Sequence, residues 1–173
     1  MLKKSSFVIM MLLYALLLTS CKKEEYSKLP PDLELSNDGY NLNFTRIHND
    51  VIDYLSSEVM PFFFVKDNGF DISGDNENKS ISITCNCISG TQKHDLDLFL
   101  SMALNGIAQV ASEQDYRFKA PSVDKDGTYL DYGNIFDVYS LHIYATIEEE
   151  SVLMDKTFKP GEKITIDPRY IKE

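Results

Sequence analysis

The chain of 173 residues has no tryptophan, three cysteines, three histidines and one long apolar run, which lies near its N-terminus. It contains no G-x-S-x-G elbow, no H-E-x-x-H zinc helix, no P-loop and no glycine-rich dinucleotide fingerprint. The sequence therefore predicts no catalytic residues, no cofactor and no metal. The absence of tryptophan disfavours a surface that stacks sugars, although tyrosine can also stack on them.

Basic residues are scarce. The chain has 17 Lys and Arg against 27 Asp and Glu, a formal charge of −10. Long-range electrostatics will not draw such a chain to nucleic acid or to anionic lipid headgroups. A basic protein partner is compatible with this charge, and so is an acidic surface that only keeps the domain soluble.

The N-terminus is typical of a secretory signal peptide. Lys3 and Lys4 precede twelve uncharged residues, 7–18, and small residues follow. The run is shorter than the ~20 apolar residues of a membrane-spanning helix. A membrane anchor helix and a buried core helix are the alternatives. We expect residues 1–20 to be removed.

Two short motifs refine this interpretation. Leu18-Thr19-Ser20-Cys21 resembles a bacterial lipobox, and Lys22-Lys23-Glu24-Glu25 resembles the export signal of Bacteroidota surface lipoproteins. The resemblance implies that Cys21 is lipidated and anchors the chain in the outer membrane. It also implies that Lys23, Glu24 and Glu25 direct the protein to the cell surface, with a periplasm-facing anchor as the alternative.

Beyond the anchor, residues 21–38 are polar, contain Pro30 and Pro31, and are predicted to form a tether. Residues 39–173 are predicted to form a single domain. Removing residues 1–20 takes away Lys3 and Lys4 and no acids, so the mature chain carries a formal charge of −12.

Two segments have helical periodicity. The first is Phe44 to Glu58, with Asn43 as a candidate N-cap, and the second is Asp95 to Glu113, which has a continuous apolar stripe. Gly106 interrupts the second helix and is expected to mark a close packing contact.

Several segments have strand character. They are Phe62 to Val65, Phe70 to Ser73, Ser80 to Ile88, Tyr139 to Ile147, Ser151 to Phe158 and Ile164 to Ile166. Short turns between them favour antiparallel pairing. The sequence thus predicts an α+β fold, with a mostly antiparallel sheet of about five or six strands and two helices packed on one face.

Cys85 and Cys87 continue the apolar face of the strand that begins at Ser80. Burial in the core is the favoured interpretation, since residues i and i+2 of a strand stand beyond usual disulfide reach. A disulfide across a bulge and a soft-metal site with His48 or His94 are the alternatives.

Two other polar groupings could carry chemistry. Asp124 to Gly127 has its glycine too early for an EF-hand loop, so a solvated turn is favoured over a calcium site. His48, His94 and His142 are scattered, and a Ser–His–acid arrangement stays open because such triads are spatial.

These observations favour a non-catalytic envelope lipoprotein whose domain binds another protein, as an immunity or inhibitor protein or as an assembly accessory. The candidate binding surface is the acidic segment Glu148, Glu149 and Glu150 with Tyr139 and Tyr144. A basic protein is the expected partner. A small-molecule or glycan-binding module and a hydrolase with an unrecognised site are the alternatives.

Overall fold

Two helices and four strands make up the part of the chain that the structure describes. This computed structural model describes residues 40–58 and 69–166, which belong to one compact unit, Gly39–Glu173. In chain order the elements are helix α1 (Phe44–Glu58), strands β1 (Phe70–Asp75) and β2 (Ser80–Cys87), helix α2 (Lys93–Gln114), a 3-10 turn (Ile135–Asp137), and strands β3 (Ser140–Ile147) and β4 (Ser151–Phe158).

The strands form one mixed sheet in the order β1-β2-β3-β4. The pairs β1–β2 and β3–β4 are antiparallel, whereas β2 and β3 are parallel. A parallel pair needs a long crossover, and α2 lies within it. The predicted α+β class and the mostly antiparallel pairing are confirmed.

Four strands are seen where five or six were expected. The predicted strand Ile164 to Ile166 pairs with no described strand. These residues form an irregular segment whose Ile164 and Ile166 side chains are buried in the core. The predicted strand Phe62 to Val65 lies outside the described residues.

Both predicted helices are confirmed, and α1 has the predicted cap. The side-chain Oδ1 of Asn43 accepts a hydrogen bond from the backbone N–H of Arg46 at 3.0 Å. Such a cap satisfies one of the donors that a helix start leaves unpaired. Helix α2 begins at Lys93, and its N-cap Gln92 makes no side-chain capping bond.

The strands bury one face against the helices. Alternate residues of β2 and most of β3 are buried, and these side chains join Phe70 and Ile72 of β1, Met154 and Phe158 of β4 and those of α1 and α2 in one core. The rings of Phe70 on β1 and Phe99 on α2, for example, lie 5.0 Å apart at 81°. The opposite face of the sheet consists of polar and partly exposed residues.

Two glycines allow α1 to pack closely on its neighbours. A Cβ atom at Gly106 would lie 3.2 Å from Cγ2 of Val51, which confirms the predicted close contact on α2. The backbone of Gly74 on β1 lies against the ring of Phe44, where a side chain would overlap the ring. Helix α1 is therefore fixed against both β1 and α2.

The start of the described chain is held at the end of the sheet where β2 and β3 begin. The amide side chain of Asn76 bonds both backbone groups of Leu42, at 3.0 and 2.9 Å. The hydroxyl of Tyr139 donates to Asn76 Oδ1 at 2.7 Å, and the Arg117 guanidinium stacks 4.4 Å from the Tyr40 ring centroid.

Candidate interaction surface

The side of the sheet that faces away from the helices is rich in hydroxyl, amide and acidic groups. We call it the open face. Its central rows across the sheet are Ser82, His142 and Thr157; Thr84, Tyr144 and Asp155; and Asn86, Thr146 and Val152. The β1 edge adds Asp71, Ser73 and Asp75. None of these strand residues is Lys or Arg.

Three exposed apolar side chains lie in the half of the open face towards the ends of β2 and β3. Tyr144 is 36% exposed and Val152 is 58% exposed, and Ile88, which follows β2 at the same end, is 47% exposed. We call these three residues the apolar patch. Acidic residues border it, because Glu148–Glu150 connect β3 to β4 there and Asp155 is the register partner of Tyr144.

The acidic turn has an unusual backbone. Glu148 and Glu149 have φ of 50° and 65°, in the left-handed region that Gly or Asn normally occupies. Asn86 of β2 holds Glu149 in place, since its Oδ1 accepts from the Glu149 N–H at 2.9 Å and its Nδ2 donates to Glu149 Oε1 at 3.2 Å. The Glu148 N–H donates to the Cys87 carbonyl at 2.9 Å. The turn is therefore tied to β2 as well as to its own strands.

His142 lies at the centre of the open face. Its Nε2 is 3.0 Å from Oδ1 of Asp155, and Ser82 is its register partner on β2. A serine, a histidine and an acid thus meet on three neighbouring strands. Acyl transfer also needs N–H donors aimed at the developing oxyanion. The backbone donors of β2 and β3 lie in the plane of the sheet and serve its ladders, so these two strands aim no N–H group out of the open face.

The structure separates the predicted surface residues. Glu148, Glu149, Glu150 and Tyr144 are exposed, as the prediction requires, but Tyr139 is fully buried and must be removed from the surface. Tyr139 lies one residue before β3, on the buried side that also carries Leu141, whereas Tyr144 lies on the open face. Burial raises the pKa of Tyr139 to about 12.

Cys85 and Cys87 occupy the predicted core face of β2. Both are 1% exposed, and neither is paired in a disulfide. Burial raises the pKa of Cys87 to about 11, and burial together with the neighbouring Cys87 raises that of Cys85 well above its ordinary range. Neither thiol has the exposure or the lowered pKa of a reactive or metal-binding cysteine.

The loop that suggested calcium folds as a hydrogen-bonded turn. One carboxylate oxygen of Asp124 accepts the N–H groups of Asp126 and Thr128, both at 2.9 Å. Within residues 40–58 and 69–166, no group of three or more His, Cys, Asp or Glu residues could hold a metal ion.

A shallow cavity of about 210 Å³ lies beside the 3-10 turn. Its walls include Asp131, Tyr132, Phe136, Glu162 and Ile164. Tyr132 and Phe136 are only 6% and 7% exposed, and the Tyr132 hydroxyl is hydrogen-bonded to Ser101 at 2.8 Å. Asp137 and Lys163 also line it, so its charged groups are of both signs and its aromatic side chains are buried.

Comparison with protein-family models, curated proteins and solved structures finds no match for this chain. Among the helices that the structure describes, none is both long and apolar enough to cross a bilayer. Cys21 and the predicted export signal Lys23, Glu24 and Glu25 lie outside the described residues.

Sequence reasoning missed three residues of this surface. Asn86 lies between the two cysteines on the open face of β2, and its contact with Glu149 depends on the parallel pairing of β2 with β3. Asp155 and Val152 lie in a strand with weak alternation, and a register shift between Ala145 and Thr146 changes the β4 partners there. A strict count of alternate residues would have separated Tyr139 from Tyr144.

Proposed function

We propose that this chain is a lipid-anchored, non-catalytic envelope lipoprotein whose domain binds another protein through the open face. The anchor is Cys21, and the proposed location is the outer membrane, exposed at the cell surface. Support for this part comes from the lipobox and from the charges that follow it.

The observation that carries the binding proposal is the apolar patch on an otherwise polar, open sheet face. Tyr144 and Val152 expose apolar surface beside hydroxyl and acidic groups, and α1 and α2 pack on the other side of the sheet. An apolar patch with a polar rim is typical of protein-binding sites, in which an aromatic residue commonly provides much of the binding energy.

A pull-down with variants of the mature chain tests the proposal. Wild type, the double variant Tyr144→Ala/Val152→Ser and the control Tyr116→Ala are each used to capture partners from envelope extract. Tyr116 is 74% exposed and lies outside the sheet. The proposal predicts a partner that the wild type and Tyr116→Ala retain and the double variant loses. Equal recovery by all three would contradict it.

A further inference from the structure

We infer that the partner meets the open face through basic side chains, arginine above all. This inference rests on the proposed function and specifies the chemistry of its partner. On this face, acids are fixed by hydrogen bonds beside an aromatic and an aliphatic side chain.

The acids border the open face on several sides. Asp155 lies on β4, Asp75 lies on β1, and Glu149 lies in the turn between β3 and β4. The carboxylate of Asp71, also on β1, is directed to α1, where its Oδ1 lies 3.2 Å from Nδ1 of His48. Backbone and side-chain hydrogen bonds from Asn78, with a further one from the Glu77 N–H, lower the pKa of Asp75. The acid at this edge of the sheet is therefore held in its charged form.

The nearby lysines are Lys79, in the turn between β1 and β2, and Lys156, on the edge strand β4, and both are directed away from the open face. Lys79 Nζ donates to the Tyr40 carbonyl at 3.2 Å and lies 5.5 Å from the Tyr139 ring centroid. Lys156 Nζ lies 4.4 Å from the ring centroid of Phe158 and donates to Thr165 Oγ1 at 3.1 Å. Neither lysine therefore offsets the acids of the open face.

Two of these acids are positioned before any partner arrives. Asn86 bonds both the backbone and the carboxylate of Glu149, and Asp155 is paired with His142. Such fixing lowers the ordering cost of binding. The exposed ring of Tyr144 and the side chain of Val152 offer a surface for the stem and guanidinium of an arginine. Nucleic acid and anionic lipid would meet like charge on the same face.

The test uses a nine-arginine peptide titrated into the mature full-length protein and followed by amide chemical shifts. Wild type is compared with Glu149→Gln/Asp155→Asn, which keeps the size and the acceptor oxygen of both side chains. The control Asp53→Asn/Asp137→Asn removes the same charge from exposed acids outside the strands.

We expect the largest wild-type shifts at Tyr144, Glu149 and Asp155. We expect the open-face variant to weaken the dissociation constant about fivefold at low salt, and the control less than twofold. The difference should shrink as salt shortens the Debye length below about 8 Å. Shifts spread evenly over exposed acids, or equal weakening by the two variants, would overturn the inference.

The same variants separate this inference from the proposed function. If the Tyr144→Ala/Val152→Ser variant loses its envelope partner while Glu149→Gln/Asp155→Asn retains it at every salt concentration, the open face binds a protein by other means. The proposed function would then stand, and the basic partner would be rejected.

Discussion

At the scale of single residues, the two cysteines of β2 are buried because they continue the apolar face of the strand, and this burial suppresses ionisation of their thiols. Both thiols lie in the core with raised pKa values. Cys85→Ser should lower the free energy of unfolding by about 1–3 kcal/mol, because it buries a hydroxyl without an assured partner. Denaturant unfolding of both proteins measures the change, and an unchanged midpoint would contradict the burial.

The same thiols predict a pH dependence. Their folded pKa values lie above the ordinary value of about 8.5, so folding favours the protonated form. The stability that the protonated, buried thiols contribute is fully present below about pH 8.5. It is lost as the pH rises toward the folded-state pKa of Cys87, about 11. Unfolding free energies at pH 7 and pH 10 should therefore differ less in Cys85→Ala/Cys87→Ala than in wild type. An identical fall in both proteins would exclude the thiols as its cause.

Asn105 of α2 is a residue that the core tolerates at a cost. It is 2% exposed, and both of its amide atoms lack a hydrogen-bond partner in the described part of the chain. Asn105→Leu should raise the free energy of unfolding by about 1–2 kcal/mol. Ser101→Ala is the matched control. The Ser101 hydroxyl is hydrogen-bonded to Tyr132, so its removal should lower the free energy of unfolding. A destabilised Asn105→Leu would show that the amide is satisfied in solution.

At the scale of elements, the β3–β4 turn is exposed and holds two glutamates in an unfavourable left-handed backbone conformation. Glu148 has φ of 50°, whereas Glu150 lies outside the left-handed region. Glu148→Gly should raise the free energy of unfolding by up to about 1 kcal/mol, because glycine adopts positive φ without a steric penalty. Glu150→Gly should lower it. Thermal unfolding compares the two, and a destabilised Glu148→Gly would contradict the strained turn.

The elements also show what a sequence can predict. The apolar stripe of α2, the Asn43 cap and the alternation in β2 and β3 are local patterns, and each produced the predicted element. The parallel β2–β3 pair and the Asn86–Glu149 contact are long-range, so no local pattern specifies them. Ile164 and Ile166 are a local pattern that misled: the two alternate apolar residues are buried as a strand would require, but the segment forms no strand.

At the scale of the whole molecule, the described chain begins at the end of the sheet opposite the acidic turn. Tyr40 and Leu42 are held where β2 and β3 begin, and the acidic turn lies where they end. Strands of eight residues separate the two ends by about 25 Å at ~3.3 Å per residue. Tyr40, the first described residue, thus lies at the opposite end of these strands from the acidic turn.

Lipidation gives a direct test of that anchor. Metabolic labelling with an alkyne fatty acid should mark the wild-type protein and leave Cys21→Ala unmarked. Equal labelling of both proteins would reject the lipobox interpretation.

The central claim is that the open face binds a protein, and photo-crosslinking in intact cells tests it most directly. A benzoylphenylalanine residue is placed at position 144 in one strain and at position 116, outside the sheet, in another. The account predicts a discrete crosslinked band from position 144 that is absent from position 116 and is lost with Val152→Ser. No adduct from position 144, or the same adduct from both positions, would contradict it.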